Sequence, residues 1–417
     1  MSLGRFRMPN RAPAMCVATL TLATAALMAD SNETVLYTFQ GGHDGSSPNG
    51  ALIADASGNL YGTTGYGGGG DCTFGGLTGC GTVFRLTPPS GAPSGPGGAW
   101  TETVLYRFQG GADGAFPSGG LLLDRAGNLY GSTVAGGNAA TCYVGETGCG
   151  TVFRLQRPAT SGGAWTETVL YTFQAGADGF APGNLSADQA GNLYSVTTYG
   201  GASACQCGAV FKLSRPASAG GNWTKSVLHT FQGVPAGQTF GDGSEPIVGV
   251  TLDSQGNLYG VTEFGGILIP SVEGGATYGT VFWMSPPIAA GGSWSYVVLH
   301  RFGDYLENPV SSVVVDRAGA IYGTSYTSVF TLVPGNALPI HVFDGSSGND
   351  GSLPYGGVIP DTAGNLFGTT ISGGNQSGQG VVYELKRPAQ AGRRGRRRFY
   401  MSSAAARTVM VRMRLCC

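Results

Sequence analysis

The sequence is poor in charge, and above all in lysine. Charged residues make up 11% of the 417 residues, and lysine occurs only three times. Most basic residues lie near the two ends, so that residues 31–385 hold 10 basic against 23 acidic residues. Nucleic-acid binding requires clustered lysine and arginine that neutralise phosphates. An acidic body of this kind argues against nucleic acid as a partner.

Catalytic motifs are also scarce. The chain has four histidines and lacks a Gly-x-Ser-x-Gly elbow, a phosphate-binding loop and a zinc motif. Three of the histidines, His229, His300 and His341, replace a tyrosine of a repeated strand, which predicts a structural role for them. The sequence therefore contains no positive sign of an enzyme, and whether it is one stays open.

Helical periodicity is missing from the body, and a repeated phrase takes its place. The stretch ADASGNLYGTT (54–64) returns five times in modified form, with its glycine at 58, 127, 191, 256, 319 and 364. Each repeat contains four short runs that are rich in Val, Leu, Tyr, Phe and Thr and are bounded by Gly, Pro, Asn and Asp. The phrase itself predicts a hairpin, since Asp can bond to the turn and Gly can adopt a positive φ.

These repeats predict an all-β protein, a six-bladed β-propeller of four-stranded antiparallel blades. The runs are apolar on both faces, so each sheet needs a neighbour on either side. We name the strands a to d from the axis outward. The first run, residues 33–39, is a strand d, whereas the last, 380–385, is a strand c. The N-terminal strand can therefore join the last blade and close the ring. Seven blades are the alternative.

The two ends differ from the body. Residues 1–29 combine three arginines with an apolar stretch of signal-peptide length, although a buried helix is the alternative interpretation. Residues 30–385 form the predicted propeller. Residues 386–417 hold ten basic residues and no acid. We expect this tail to be disordered, either as a divergent end or as a basic arm for anionic surface polymers. No membrane span is expected in the mature chain, which we predict to be monomeric.

Six cysteines form three local pairs in the loops between strands b and c. The spacing predicts disulfides Cys72–Cys80, Cys142–Cys149 and Cys205–Cys207 in an exported protein. The last pair is doubtful, because a bridge across one residue would be strained. Metal binding by these cysteines is the alternative.

Two residue sets on one predicted face are candidate ligand-binding groups. The loops from strand d to strand a carry a recurring Asp-Gly, with aspartates Asp44, Asp113, Asp178, Asp242 and Asp350. They could bind a cation such as Ca²⁺, or they could only shape turns. The b-to-c loops carry an aromatic slot with Tyr66, Tyr199, Phe264 and Tyr326. Exposed rings suit sugar or peptide contacts, and packing over the blade is the alternative.

The combined motif resembles the GloVer tandem-repeat proteins. It consists of Val-Leu-Tyr-x-Phe, Asp-Gly, Asp-x-x-Gly-Asn-Leu-Tyr-Gly-Thr-Thr, Gly-Gly and Gly-Thr-Val-Phe-x-Leu, and it covers residues 33–385. The resemblance implies an exported or surface protein with a variable C-terminal anchor. It implies no activity, so no functional residues carry over. This chain departs from the pattern at its end, where the basic tail lacks an apolar span.

The function that we predict is an exported binding or scaffold module at the cell envelope, with a glycan or protein ligand. The first alternative is a carbohydrate-active enzyme, a hydrolase or lyase, that uses acids of the Asp-Gly loops, for example the pair Asp242 and Glu245. The second is a purely structural surface protein. No cofactor is expected other than the Ca²⁺ already considered.

Overall fold

The computed structural model describes residues 36–386 with gaps, together with residues 398–400 and 410–412. The gaps are residues 75, 90–99, 138–140, 144–145, 161, 219, 270–275, 290, 304–307, 334–335, 344–349 and 374–379. The predicted signal peptide lies outside the described residues, as does most of the tail. Within the described residues, no helix has the length and apolar character needed to cross a membrane.

The described chain forms six antiparallel sheets arranged as a six-bladed β-propeller, which confirms the predicted fold. Blade 1 contains strands Ser46–Ala54, Leu60–Tyr66, Thr82–Thr87 and Thr101–Arg107. Blade 2 contains Ala115–Pro117 with Leu122–Leu123 as a broken strand a, then Leu129–Ala135, Thr151–Gln156 and Thr166–Thr172. Blade 3 contains Phe180–Pro182 with Ser186–Ala187, then Leu193–Tyr199, Ala209–Ser214 and Thr224–Thr230.

Blades 4 to 6 follow the same order. Blade 4 contains Val250–Leu252, Leu258–Ile269, Ala276–Ser285 and Ser295–Arg301. Blade 5 contains Val314–Val315, Ile321–Thr324, Ser328–Val333 and Asn336–Val342. Blade 6 contains Val358–Pro360, Leu366–Thr369 and Val382–Leu385, beside a small ribbon of Gly351–Ser352 and Ser372–Gly373.

The loops contain smaller elements of secondary structure. Two ribbons follow strand b, Thr73–Phe74 with Leu77–Thr78 and Thr141–Tyr143 with Glu146–Thr147. A 3₁₀ turn spans Gly176–Asp178. In the tail, Arg398–Tyr400 pairs with Met410–Arg412. The remainder of the tail is outside the described residues, so its expected disorder stays a prediction.

The repeated phrase is a hairpin organised by its aspartate. In blade 1, Asp55 Oδ1 accepts hydrogen bonds from the backbone N–H of Ser57 (2.9 Å) and Asn59 (3.0 Å). Asp55 Oδ2 accepts bonds from Asn59 Nδ2 (2.8 Å) and from the hydroxyl of Tyr61 (3.0 Å). Burial acts to raise the pKa of Asp55, but these hydrogen bonds outweigh it and lower the pKa. The Asp, Asn and Tyr of the phrase thus form one bonded unit.

Aromatic contacts hold neighbouring blades together. The phenylalanine after strand d of one blade packs on the aromatic ring of strand c in the next blade, with centroids 4.9–5.4 Å apart, edge to face in five pairs and tilted in the sixth, Phe343–Tyr383. The pairs are Phe39–Phe84, Phe108–Phe153, Phe173–Phe211, Phe231–Phe282, Phe302–Phe330 and Phe343–Tyr383. Most of these rings are fully buried. Edge-to-face pairs add about 0.5–1.5 kcal/mol beyond their area burial.

The ring of strand c leaves room only for a small residue on strand b, which is glycine in five of the six blades. A Cβ at Gly131 would lie 2.5 Å from Phe153 Cζ, and a Cβ at Gly260 would lie 2.3 Å from Phe282 Cζ. Gly62, Gly323 and Gly368 are equally close to the aromatic ring of their own blade. Blade 3 has Ser195 at this position, where Oγ bonds to the carbonyl of Asn184. The glycine after Leu-Tyr therefore makes room for the aromatic core.

Each strand d of blades 1 to 5 contains a β-bulge beside this ring. In blade 2, Val152 pairs with Tyr171 but Phe153 pairs with Val169, so that Leu170 is the extra residue. The same shift occurs in blades 1, 3, 4 and 5. Simple alternation within strand d, on which the sequence interpretation relied, is therefore interrupted at the leucine or isoleucine.

Ring closure by residues 33–39 is only partly visible. Residues 33–35 lie outside the described residues, and residues 36–40 are not in a strand. Blade 6 has three strands in its main sheet within the described part of the chain. Phe39 nevertheless contacts Phe84 in blade 1 at 4.9 Å, as every other strand-d phenylalanine does with its next blade. Closure through a fourth strand therefore stays a prediction.

The six loop cysteines are paired as the sequence predicted. The bridges are Cys72–Cys80, Cys142–Cys149 and Cys205–Cys207, the last of which was doubtful from the sequence. In each pair the second cysteine precedes the glycine that opens strand c, and it is buried. The bridges thus lie at one end of blades 1 to 3.

We expect Gly131→Ala to destabilise the fold by roughly 1–3 kcal/mol, because the added methyl overlaps the ring of Phe153. Urea unfolding measures this loss. Gly111→Ala is the matched control, since a Cβ at Gly111 meets no atom within 4 Å. Equal stability of the two variants would contradict the proposed role of the strand-b glycine.

Closure predicts that Phe39→Ala lowers the free energy of unfolding by roughly 2–4 kcal/mol, as expected for the loss of a packed ring. Thermal or urea unfolding of the purified chain gives the value. Thr38→Ala removes an exposed neighbour and serves as control. A loss at Phe39 no larger than that at Thr38 would mean that this segment does not close the ring.

Candidate functional site

Loops from strands d to a and from strands b to c share one face of the propeller, as predicted. Backbone hydrogen bonds join the two sets within a blade: Gly68 N–H donates to Gly42 O (2.9 Å), and Gly137 N–H donates to Gly111 O (2.8 Å). The Asp turns lie on the opposite face, where Asn128 Oδ1 accepts from the backbone N–H of Arg157 (3.1 Å) at the end of strand c. The candidate residues of both sequence sets therefore belong to the first face.

The aspartates of the Asp-Gly loops each bond within their own loop. In blade 2, Asp113 Oδ2 accepts from the hydroxyl of Tyr106 (2.9 Å) and from the backbone N–H of Gln109 (2.9 Å). Asp44 and Asp178 accept hydrogen bonds from the equivalent tyrosine and glutamine of their own loops. Asp242 and Asp350 instead contact His229 and His341 in place of the tyrosine. These contacts are those of a turn, and they agree with a structural role for both histidines.

The aspartates of blades 1 to 4 are each faced by a second side chain. It comes from the start of strand d in the same blade. In blade 3 it is Lys225, whose Nζ lies 2.8 Å from Asp178 Oδ1 and whose side chain is 5% exposed. In blade 4 it is Tyr296, which donates to the carbonyl of Asp242 and stacks on His229 at 3.7 Å. In blades 1 and 2 the same position holds glutamates, Glu102 and Glu167.

The two glutamates are therefore acids placed against acids. Burial, reinforced by the charge of Asp44, raises the pKa of Glu102 to about 7. Burial and the charge of Asp113 likewise raise the pKa of Glu167 to about 7. One carboxylate oxygen of each glutamate is buried without a hydrogen-bond partner among the described residues. Both positions therefore favour the protonated form more than a free glutamate does.

Residues of the aromatic slot contact the neighbouring blade or loop. Tyr66 lies 5.3 Å from the ring of Phe116 in blade 2, and Tyr199 lies 5.3 Å from Phe180 of its own blade. Phe264 pairs through its backbone with Ser244. Tyr326 donates a hydrogen bond to Glu263 Oε1 (2.7 Å). The slot is therefore half-buried and partly engaged in packing.

The residue before the proline of strand a has a left-handed backbone in five blades. Its φ lies between 53° and 60° at Ser47, Phe116, Ala181, Glu245 and Leu353. Such a conformation costs a non-glycine residue about 1–2 kcal/mol. In three blades its N–H donates to the carbonyl of the bridged cysteine in the preceding blade, at 2.9–3.2 Å: Phe116 to Cys80, Ala181 to Cys149 and Glu245 to Cys207. The disulfide loops thus hold this residue in place.

One part of the face gathers acids and tyrosines from four blades. Glu263 N–H donates to the carbonyl of Glu245 (3.1 Å), which places the two glutamates side by side in blade 4. Tyr199 of blade 3 hydrogen-bonds to the Glu245 carboxylate. Tyr326 of blade 5 bonds to Glu263, and its ring lies 5.4 Å from Tyr355 of blade 6. We call these five residues the Glu–Tyr cluster.

Electrostatics within the Glu–Tyr cluster follow from its burial and its two acids. Burial and the neighbouring charge of Glu263 raise the pKa of Glu245, although the Tyr199 hydroxyl acts in the opposite direction. Burial and the bond to Glu263 raise the pKa of Tyr326 above its usual value, so that its hydroxyl remains a donor. Tyr355, at 39% exposed, is the rim of the cluster.

Sequence reasoning identified part of this cluster. Tyr199 and Tyr326 were candidates, and Glu245 was considered together with Asp242, but Asp242 bonds to His229 and Gln232 instead. Glu263 and Tyr355 were missed. The available signal was that blade 4 alone has an acid both before the proline of strand a and before the aromatic slot.

Metal-binding groups of the usual kind are absent from the described residues. No three or more His, Cys, Asp or Glu side chains there lie close enough to hold a metal ion together. The five Asp-Gly aspartates are consequently not brought together as a cation site.

A second concave surface lies between blades 2 and 3, away from the Glu–Tyr cluster. It is lined by the outer strands and the c-to-d loop, including Arg154, Arg215 and Trp223. Trp223 packs against a buried core cluster, as Trp165 and Trp294 do in the neighbouring blades. Its lining also includes the polar side chains of Gln156, Asn192 and Asn222.

The fold defines a β-propeller built from tandem repeats. The family model described as Gloeobacter/Verrucomicrobia repeat matches residues 72–329, more than half of the chain. The chain belongs to this repeat family, as the resemblance predicted. No curated protein sequence matches it.

Several solved structures are similar in fold. A catalytically inactive virginiamycin B lyase from Staphylococcus aureus is 12% identical, covering 86% of this chain and 92% of that chain with a TM-score of 0.44. A gluconolactonase from Xanthomonas campestris is 16% identical, covering 79% and 84% with a TM-score of 0.42. The extracellular domain of a one-component system from B. thetaiotaomicron is 11% identical, covering 85% and 36% with a TM-score of 0.43. Similarity at this level carries no argument about activity.

The glutamates facing Asp44 and Asp113 predict a pH-dependent stability. Their pKa of about 7 in the folded state exceeds the value of 4.5 for free glutamate. The stability they contribute is therefore complete below pH 4.5 and is lost as the pH rises through 7. We expect Glu102→Gln with Glu167→Gln to stabilise the protein at pH 8 by on the order of 1 kcal/mol, a value discounted for solvent screening.

Urea unfolding at pH 4 and pH 8 measures this difference, which should disappear at the lower pH. Glu167→Lys is a second variant, because Lys225 shows that a lysine at this position can pair with the aspartate. A stability gain that is the same at both pH values would contradict the raised pKa values of the two glutamates.

Proposed function

We propose that the protein is an exported binding module whose ligand is a glycan, bound at the Glu–Tyr cluster. The observation that carries this proposal is the convergence of three tyrosines and two glutamates from four blades. Flat rings give contact area at low entropic cost, and carboxylates accept hydrogen bonds from sugar hydroxyls. A few converging polar groups on a largely preformed surface are typical of ligand sites.

Export is supported by the cysteine usage. Three disulfides in loops form and persist in oxidising compartments such as the periplasm or the cell surface. Together with the signal-like N-terminus, they support a location at the cell envelope. Glycans are abundant chemical partners there, whereas the acidic body disfavours nucleic acid.

A carbohydrate-active enzyme is the second candidate, and one observation favours it. Glu245 and Glu263 are adjacent, and the pKa of Glu245 is raised, as a general acid requires. The aspartates of the Asp-Gly loops are engaged by Tyr, His and backbone groups. Any glycoside chemistry would therefore rest on the two glutamates.

A glycan array with the purified full chain, followed by titration calorimetry, tests the proposal. We expect saturable binding that Tyr355→Ala weakens at least tenfold, because this exposed ring is lost without disturbing the core. Ile288→Ala is the control, since Ile288 is fully exposed on a c-to-d loop at the opposite face. Product release from the bound glycan would support the enzyme.

Two results would contradict the proposal. Unchanged affinity in Tyr355→Ala and Tyr199→Phe would place the glycan elsewhere, for example in the groove with Trp223. Absence of glycan binding would favour a protein partner or a purely structural role.

A further inference from the structure

The groove between blades 2 and 3 contains two arginines without an acidic partner. Arg154 lies on strand c of blade 2, Arg215 directly follows strand c of blade 3, and both line the groove. Among the described residues, neither guanidinium forms an ion pair. The groove therefore carries uncompensated positive charge, although the body of the chain is acidic. Such a concentration of one sign of charge in a cleft attracts ligands of the opposite sign.

Arg154 also lacks a hydrogen-bond acceptor. Its Nε is buried and has no hydrogen-bond partner within the described part of the chain. Arg154 pairs across the sheet with Tyr130 on one side and Thr168 on the other, and both of these residues line the groove. Residues directly opposite in a sheet point to the same face, so the Arg154 side chain faces the groove. An unsatisfied buried donor costs about 1–3 kcal/mol, and more when it is charged, so an acceptor bound here is favoured.

Arg215 is held where its charge adds to that of Arg154. Its side chain crosses the Asp turn of its own blade, where a Cβ at Gly191 would lie 3.1 Å from Arg215 Nη1. Burial and the charge of Asp124 raise the pKa of Tyr130, whereas the charges of Arg154 and Arg215 act in the opposite direction. Both guanidiniums are thus close enough to act on the same tyrosine hydroxyl.

The acids of the two adjoining Asp turns do not compensate these charges. Asp124 accepts hydrogen bonds from the backbone and the side chain of Asn128 and from the hydroxyl of Tyr130. Asp188 is engaged by Asn192 in the same way. Neither aspartate forms an ion pair with an arginine of the groove. The counter-charge of the arginines must therefore come from outside the described chain.

The same pair of arginines recurs in one neighbouring groove and is missing from the other. Between blades 1 and 2, Arg85 takes the place on strand c and Arg157 the place after it, and Arg85 Nε is likewise buried without a partner among the described residues. Between blades 3 and 4 the two places hold Lys212 and Pro286. Lys212 Nζ lies 5.6 Å from the centroid of the Tyr194 ring. The ring of blades thus supplies its own comparison for the role of the pair.

We propose that the groove between blades 2 and 3 binds an acidic glycan, with a uronate carboxylate held by Arg154 and Arg215. A planar carboxylate matches the fork of N–H donors on a guanidinium and supplies the acceptor that Arg154 Nε lacks. The ring of Trp223 and the amides of Gln156 and Asn222 also line the groove, and they suit the rings and hydroxyls of a sugar. The groove has a volume of about 1010 Å³, which is ample for a small ligand.

Titration calorimetry of the purified full chain with a trisaccharide of galacturonic acid tests this site. We expect two trisaccharides per chain, one in each groove that has a pair of arginines. Arg154→Gln together with Arg215→Gln should weaken binding in one groove at least tenfold, so that one trisaccharide per chain remains. Adding Arg85→Gln and Arg157→Gln should remove the other. Binding should also weaken as NaCl is raised, because salt screens the charges.

Arg154→Lys keeps the charge but loses the paired N–H donors, so it should also weaken binding, though less than Arg154→Gln does. Lys212→Gln is the matched control, because it removes a positive charge from the same position of strand c in a groove without the arginine pair. It should leave the affinity and the number of bound trisaccharides unchanged.

Three results would overturn the proposal. They are no binding of the uronate at millimolar concentration, equal binding of a neutral galactose trisaccharide, and an unchanged number of bound uronates in the variant that lacks both Arg154 and Arg215. Tighter binding of a sulfated galactose trisaccharide would overturn the assignment of a carboxylate. The groove shares no residue with the Glu–Tyr cluster, so failure of either proposal leaves the other standing.

Discussion

The contact between the strand-d phenylalanine of one blade and the strand-c ring of the next is the constraint on which the other features depend. It is repeated six times at nearly the same distance. To admit the ring, strand b must have a glycine or a serine opposite it, and in blades 1 to 5 strand d must bulge beside it. Much of the repeated sequence is therefore explained by one packing problem. A protein interior is packed as densely as an organic crystal, so each copy must solve this problem in the same way.

The Asp-Gly aspartates belong to the same structural frame. Each anchors the turn that follows strand d by accepting from a tyrosine or histidine of that strand and, in the first four, from the glutamine two residues after its end. The variable element is the side chain that the next strand d brings against the aspartate. Lysine, tyrosine and glutamate all occur there, and only lysine neutralises the charge. The hydrogen bonds around each aspartate fix the conformation of its loop. The charge of the side chain that faces the aspartate can therefore differ between blades.

Architecture was largely predictable from the sequence because it depends on features that recur in every repeat. Blade number, the hairpin at the aspartate, the disulfide pairs and the sharing of one face by two loop sets all follow from the spacing of identical motifs. The Glu–Tyr cluster was only half predictable. Glu263 and Tyr326 are 63 residues apart, and their contact depends on how two blades pack. The bulge in strand d depends on three-dimensional packing in the same way, so periodicity alone does not indicate it.

A single site on a sixfold repeat must arise where the repeats differ. The residue before the strand-a proline is Ser, Phe, Ala, Glu, Asn and Leu in blades 1 to 6, and its backbone is left-handed in blades 1 to 4 and in blade 6. That backbone is held by the carbonyl of the preceding blade in blades 2, 3 and 4, so the side chain can change without loss of the fold. The acid and the amide at this position occur in the adjacent blades 4 and 5. At such a position the main chain is rigid, whereas the side chain can vary between blades. Polar groups can therefore be placed accurately at little cost in stability.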